Sequence, residues 1–353
     1  MGMLVSFLVL SFLIFFHELG HFIAARLLGV KVEVFSIGFG KKVFKKQWGE
    51  TEYCFSAIPL GGYVQMKGQD DSDPTKVSHD SDSYTTKTPF ERILILFAGP
   101  FANFLLAFLL YIAIGSLGVL KFAPQIGTVS ENSAAMKAGL QKNDIVLAIN
   151  QEQITSWDDI KPLVIESEGS VEIIIERDGL KKAIILTPII SESKTIFGES
   201  IQERLIGIAP SGKTMTVYFK GLKSIQFAYD ETLKATRLIV TSLQKIIEGV
   251  VSPKEMGGII SIVKVTSDAA DVGIVALFML TALISVNLGV INLFPIPALD
   301  GGHIMFNFYE IIMKRPPSEN MYVRLTYGGW ILLLSLMAFT IINDILRFAG
   351  DVG

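Results

Sequence analysis

The chain has 353 residues, a net charge of -3 and a composition that is 50% hydrophobic, with a mean hydropathy of +0.48. It is too apolar for an ordinary soluble domain and points to a membrane protein, while the near-neutral charge, without long like-charged blocks, argues against nucleic acid as a partner. A single cysteine, Cys54, excludes an internal disulfide framework and a four-cysteine zinc site.

In chain order, the apolar run Met3 to Leu28 has no basic region before it and is longer than a signal-peptide core, so it reads as a retained span. Three more segments are long and apolar enough to cross a core of roughly 30 Å: Ile93 to Leu120, Val272 to Ile296 and Gly328 to Phe348. The connection between the first two carries Lys41, Lys42, Lys45 and Lys46 among its many basic residues. That between the last two carries Lys314, Arg315 and Arg324. The positive-inside rule places both in the cytoplasm.

The stretch VEVFSIGFGKKVFKKQWGETEYCFSAIPLGGYVQMKG alternates apolar and polar residues and ends in glycines, as a small sheet dipping toward the membrane would. QDDSDPTKVSHDSDSY then reads as a solvated linker, with His79 facing solvent. Between the second and third spans, Lys121 to Asp271 is long enough to be a translocated domain. Its first part reads as a small mixed β domain with a hairpin turning at Asp178-Gly179, and Val217 to Val250 reads as an amphipathic helix. That helix packs on its own domain or lies on the membrane surface.

The expected layout is a first span over 1–30, a cytoplasmic β-loop and linker over 31–92, and a second span over 93–120. An outside domain follows over 121–213, with an amphipathic helical segment over 214–271. The third span covers 272–303, a cytoplasmic loop 304–327, and the fourth span with the C-terminus 328–353.

The first span contains H-E-x-x-H: His17, Glu18 and His21. The i, i+4 spacing puts both imidazoles on one helix face, where they can share a zinc ion, with Glu18 as general base on the attacking water. A charge in mid-span costs about 2.5 to 3.5 kcal/mol on insertion scales, so such residues normally face a bundle interior and carry function. Counted from Met3, His17 lies about 21 Å along the helix, in the cytoplasmic half of the membrane.

A catalytic zinc takes three protein ligands and one open position. Asp300, His303, Glu310 and Asp344 are the membrane-proximal candidates for the third; Asp344 belongs near the outer end of the last span, on the wrong side, and Asp300 and His303 are the strongest. Both lie in NLGVINLFPIPALDGGH, where Pro295, Pro297, Gly301 and Gly302 are expected to unwind the third span and leave backbone groups for an extended substrate. Asn287 and Asn292 on this span serve as helix-helix glue or as partners of the substrate backbone.

HELGH, IPLGGY at 58–63, AGPFANF at 98–104, AGLQKNDIVLAIN and NLFPIPALDGGH together resemble the site-2 intramembrane zinc metalloproteases, in particular the bacterial regulator of sigma-E protease type. The resemblance covers almost the whole chain. It implies a polytopic α-helical membrane protein of four transmembrane helices, with a membrane-associated β-loop and one extracytoplasmic PDZ-like mixed β/α domain marked by Ala138-Gly139-Leu140 through Asn150. It implies Zn2+ held by His17, His21 and Asp300, with Glu18 as general base. Gly38-Phe39-Gly40 and the segment with Asn287, Asn292, Pro295 and Pro297 would guide the substrate.

The same resemblance implies a bacterial inner-membrane enzyme, active site toward the cytoplasm and PDZ domain in the periplasm, working in the lipid bilayer on single-pass membrane proteins. Anti-sigma factors already trimmed by another protease, in an envelope stress response, and remnant signal peptides are the implied substrates. Many relatives of this type carry two PDZ domains; only one copy of the AGL-x-x-x-D pattern stands here. A metal transporter and a catalytically inert PDZ scaffold are the competing readings. A transporter would spread such residues along a path over several helices, and a scaffold would not need Glu18.

Overall fold

Four helices of the computed structural model are long and apolar enough to cross a membrane. The structure describes residues 2–69 and 78–350, so part of the polar linker lies outside the described residues. The chain divides into two compact units, a membrane unit of Met1–Ile114 with Gly221–Gly353 and an inserted unit of Gly115–Lys220.

The first spanning helix, α1, runs Gly2–Leu27, and strands β1 (Val32–Trp48) and β2 (Thr51–Met66) follow. They curl into a small sheet in which Val34 to Ile37 are flanked on both sides. Ile37 pairs with Gly62 and also with Phe55, while Trp48 pairs with Thr51 in the returning arm. That arm carries exposed Val43, Phe44 and Trp48 among the lysines. The root of the sheet is anchored in an apolar cluster of Ala25, Val30, Val32, Met66, Tyr84 and Ile95, which joins α1, β1, β2 and the next helix.

Helix α2 spans Pro89–Leu117. It starts earlier than its apolar run because TPFE is a capping box: the Thr88 N–H donates to Glu91 Oε2 at 2.8 Å, and the Glu91 N–H to Thr88 Oγ1 at 3.3 Å, with Pro89 at the first helical position.

The inserted unit contains, in order, β3 (Val119–Phe122), β4 (Ile126–Val129), α3 (Ala134–Lys137), β5 (Ile145–Ile149) and β6 (Glu152–Gln153). Then come α4 (Ile160–Glu166), β7 (Val171–Arg177), β8 (Leu180–Leu186), β9 (Ile189–Lys194), β10 (Ser200–Leu205), β11 (Ile208–Pro210) and β12 (Thr214–Val217). A four-stranded sheet of order β6-β5-β7-β8 is its centre. The β7–β8 hairpin turns at Asp178-Gly179, with Arg177 opposite Leu180 and φ of +52° and +76° at the two turn residues. Ile149, Val171, Ile173 and Ile175 are fully buried in its core, and Asp144, almost fully buried, is held by Arg177 at 2.7 Å.

Back in the membrane unit, the amphipathic helix α5 covers Leu222–Ile247, and a separate helix α6 covers Ile259–Val272. α6 packs on α1, where the Ser6 hydroxyl donates to the Val263 carbonyl at 2.8 Å. The third spanning helix, α7, runs Ile274–Asn292, and α8 runs Asp300–Met313. The fourth, α9, runs Glu319–Gly350, straight after Pro316-Pro317.

The third span therefore differs from the expectation over 272–303. Helix α7 stops at Asn292, and the bend before Asp300 is held by tight turns, the Ile296 N–H donating to Phe294 and the Ala298 N–H to Ile296 at 2.7 Å each. Gly301 and Gly302 do not unwind the chain, because they are the first turn of α8. Their lack of a Cβ lets that turn pack directly on the carbonyls of Leu293, Phe294 and Ile296. Much of the expected 304–327 loop is likewise helical, since α8 continues to Met313 before Lys314 turns the chain at φ +54°.

Candidate metal centre

Two imidazoles on consecutive turns of α1 come together because the helix repeats every 3.6 residues. His17 Nε2 and His21 Nε2 stand 3.2 Å apart. Asp300, the first residue of α8, brings its Oδ2 to 3.2 Å from His17 Nε2 and 3.4 Å from His21 Nε2. A tetrahedral site with bonds of about 2.0 to 2.1 Å has ligand-to-ligand edges of about 3.3 to 3.4 Å, so this triangle is one face of such a tetrahedron. The side chains keep only 12%, 8% and 17% of their exposure. Asp300 Oδ2 is buried without a hydrogen-bond partner, which suits a cation at the centre of the triangle.

Helix α2 supports both imidazoles from behind. His21 Nδ1 lies 2.9 Å from the Ile95 carbonyl, which can accept its hydrogen and leave Nε2 with a lone pair for a metal. Asn103, fully buried, sits 3.1 Å from His17 Nδ1. Gly99 makes this close packing possible, because a Cβ there would overlap the His21 ring.

The other carboxylate and imidazole candidates are engaged elsewhere. His303 Nδ1 lies 3.0 Å from the Tyr322 hydroxyl. Both Glu310 oxygens, Oε1 and Oε2, accept from the one nitrogen Nη2 of Arg92, at 2.9 and 2.8 Å. Asp344 is buried against α6 and accepts the Gly258 and Ser261 N–H groups.

Glu18 is half-buried on α1 beside the β2 strand. A methyl group at Gly62 would come within 3.2 Å of its Cγ. Asn292 places Nδ2 at 3.2 Å from His17 Nε2, while Asn287 is half-buried farther back on α7. Pro295 is exposed on the bend and Pro297 half-buried. Gly38 and Gly40 have φ of +91° and +86°, and the Phe39 ring between them stacks on Tyr63 at 6.2 Å.

The sequence profile of the family described as Peptidase family M50 matches residues 5–336. The chain belongs to peptidase family M50. Among similar M50 relatives, a Campylobacter jejuni protein bearing a zinc metalloprotease name is 49% identical over 348 residues, covering 99% of this chain and 94% of that protein. A Helicobacter pylori protein with the same kind of name is 41% identical over 356 residues, covering 98% and 99%. The regulator of sigma-W protease RasP of Bacillus subtilis is 28% identical over 420 residues, covering 96% and 97%.

As an M50 member the chain is a zinc metalloprotease, and two imidazoles with one carboxylate are a donor set suited to zinc. Asn103 and Gly99 are residues beside the candidate centre that the motif H-E-x-x-H does not reveal. Both lie in the AGPFANF stretch, one of the motifs of the family resemblance, but nothing local to α2 tells which imidazole lies across from them.

Proposed function

We propose that this protease cuts peptide bonds inside the membrane spans of single-pass proteins, with His17, His21 and Asp300 as zinc ligands and Glu18 as general base. The observation that carries the reading is the convergence of three ligand atoms within 4.8 Å of one another, two on the spanning helix α1 and one on the first residue of α8, which follows the spanning helix α7. Bound zinc supplies Lewis-acid polarisation of the scissile carbonyl and acidifies water. Glu18 takes a proton from the attacking water and returns it to the leaving nitrogen.

A substrate helix hides its peptide bonds in its own hydrogen-bond ladder, and these must open before attack. The edge of the sheet near Gly62, beside Glu18, offers strand pairing to an unwound segment in the manner of β-augmentation. Gly38, Phe39 and Gly40 shape that sheet. Asn292, so close to His17, is placed to hold a substrate carbonyl, with Asn287, Pro295 and Pro297 lining the approach.

The basic loops favour an inner-membrane orientation with the site toward the cytoplasm. The inserted unit is then a single PDZ-like domain in the periplasm, a reading supported by its antiparallel four-stranded sheet with short helices beside it and by the Ala138-Gly139-Leu140 turn before β5. RasP is named for sigma-W regulation. That name supports anti-sigma factors trimmed beforehand, in an envelope stress response, as the substrate class, with remnant signal peptides beside them.

Cleavage of a trimmed single-span substrate by purified protein in detergent tests the reading. Wild type should cut, lose activity to a chelator and regain it with zinc; Glu18→Gln should stay inactive throughout. Cleavage by Glu18→Gln at the wild-type rate would overturn the assignment of the base.

A further inference from the structure

Asn103 stands out among the buried polar side chains of the membrane unit. It is 0% exposed, its Nδ2 is 3.1 Å from His17 Nδ1, and its Oδ1 has no hydrogen-bond partner. Its main-chain carbonyl accepts the Ser285 hydroxyl of α7 at 2.8 Å, so α7 holds this turn of α2 in place.

A neutral imidazole has one N–H and one lone pair. If Nε2 of His17 gives its lone pair to a metal beside Asp300 Oδ2 and His21 Nε2, then Nδ1 must carry the hydrogen and needs an acceptor. The amide nitrogen of Asn103 cannot accept, whereas its oxygen can. A half-turn of the amide exchanges the two without changing shape. One end of the amide is paired in either orientation, so the choice is made by which nitrogen of His17 carries the hydrogen.

The two histidines are supported unequally. His21 leans on the main-chain carbonyl of Ile95, which no side-chain substitution removes, whereas His17 depends on a side chain.

We infer that Asn103 is the positioning residue for His17: in the zinc-loaded enzyme its Oδ1 accepts the Nδ1 hydrogen and aims Nε2 at the metal. This rests on the zinc-ligand reading of His17, His21 and Asp300. Asn103 acts only through His17 and touches no substrate.

The test is zinc affinity of the full-length protein in detergent, by competition with a chromophoric chelator. Asn103→Leu keeps the shape and removes the acceptor, and should bind zinc about 10- to 100-fold more weakly. Asn103→Asp keeps an acceptor oxygen and should stay within a few-fold of wild type. Wild-type affinity in Asn103→Leu, or equal losses in both variants, overturns the inference.

If Asn103→Leu does not fold, zinc-loaded protein labelled with 15N-histidine decides the question, since the chain has only 4 histidines. The His17 Nδ1 should be the protonated nitrogen, and its signal should move in Asn103→Asp; a signal that does not move overturns the proposal. His17→Ala separates the two ideas. Equal zinc binding by wild type and His17→Ala would sink the ligand reading itself, whereas loss in His17→Ala alone, with Asn103→Leu unaffected, would sink only the role of Asn103.

Discussion

The Asp344 carboxylate of the last span reaches Ser261 at the start of α6. It accepts the Ser261 hydroxyl at 2.5 Å and main-chain N–H at 3.0 Å, and the Gly258 N–H at 3.0 Å as well. This is a helix cap delivered from another helix, and it satisfies donors that the start of α6 would otherwise leave unpaired beside a buried carboxylate.

Asp344→Ala should therefore destabilise the protein by about 1 to 3 kcal/mol, because the buried donors lose their acceptor. The change should appear as a lower thermal unfolding midpoint in detergent, with zinc content unchanged. Loss of zinc in this variant would show that Asp344 supports the metal centre after all.

The fork between Arg92 of α2 and Glu310 of α8, with side chains 17% and 20% exposed, ties the helix carrying Asp300 to the helix carrying Asn103. A double-mutant cycle with Arg92→Ala and Glu310→Ala should give a coupling of about 1 to 3 kcal/mol in unfolding free energy. Reversal of the pair, Arg92→Glu with Glu310→Arg, should recover part of what either single reversal loses. Additive losses would mean the fork contributes nothing of its own.

Asp300→Ala should lose zinc while the fold survives, because a site of two imidazoles lacks its only anionic ligand. Metal analysis after gel filtration reads this directly. Stoichiometric zinc in Asp300→Ala would transfer the third position to another residue.

Gly99→Ala places a methyl group where the His21 ring lies, so the ring or α2 must shift. Zinc affinity and cleavage should fall together by about 10- to 100-fold. Gly328→Ala, on α9 with open space around it, should leave both near wild type.

In the inserted unit, burial raises the cost of ionising Asp159, but the Thr155 hydroxyl and the Thr155 and Ser156 N–H groups outweigh it and hold the carboxyl below its ordinary value. The folded state then takes up this proton less readily than the unfolded one. Its stabilisation is full above about pH 4 and lost as the pH falls below that. Asp159→Ala should cost about 0.5 to 2 kcal/mol at neutral pH and flatten this part of the acid dependence. Hydrogen exchange at α4, followed from pH 6 to pH 3, checks both.

Local periodicity made much of this molecule readable. The spacing of His17 and His21 specifies a shared face wherever the segment is helical, and Asp178-Gly179 specifies its turn by positive φ alone. Contacts made across the fold were not readable. Spacing alone left both Asp300 and His303 for the third ligand position and only the family resemblance named Asp300; in the structure Asp300 lies against the imidazoles, while His303 meets Tyr322, Glu310 meets Arg92 and Asp344 meets Ser261. Gly301 and Gly302 illustrate a second limit. Glycine signals both unwinding and close approach, and only the neighbouring carbonyls reveal that here it means approach. Separate helix α6 was hidden because its cap lies on α9.

The triangle of His17, His21 and Asp300 joins the beginning of the chain to a point near its end. A ribosome adding about 5 to 20 residues per second leaves the two imidazoles in the bilayer for tens of seconds before Asp300 exists. On the ligand reading proposed above, the donor set is complete only once synthesis is nearly finished, so the order of the chain itself delays metal loading.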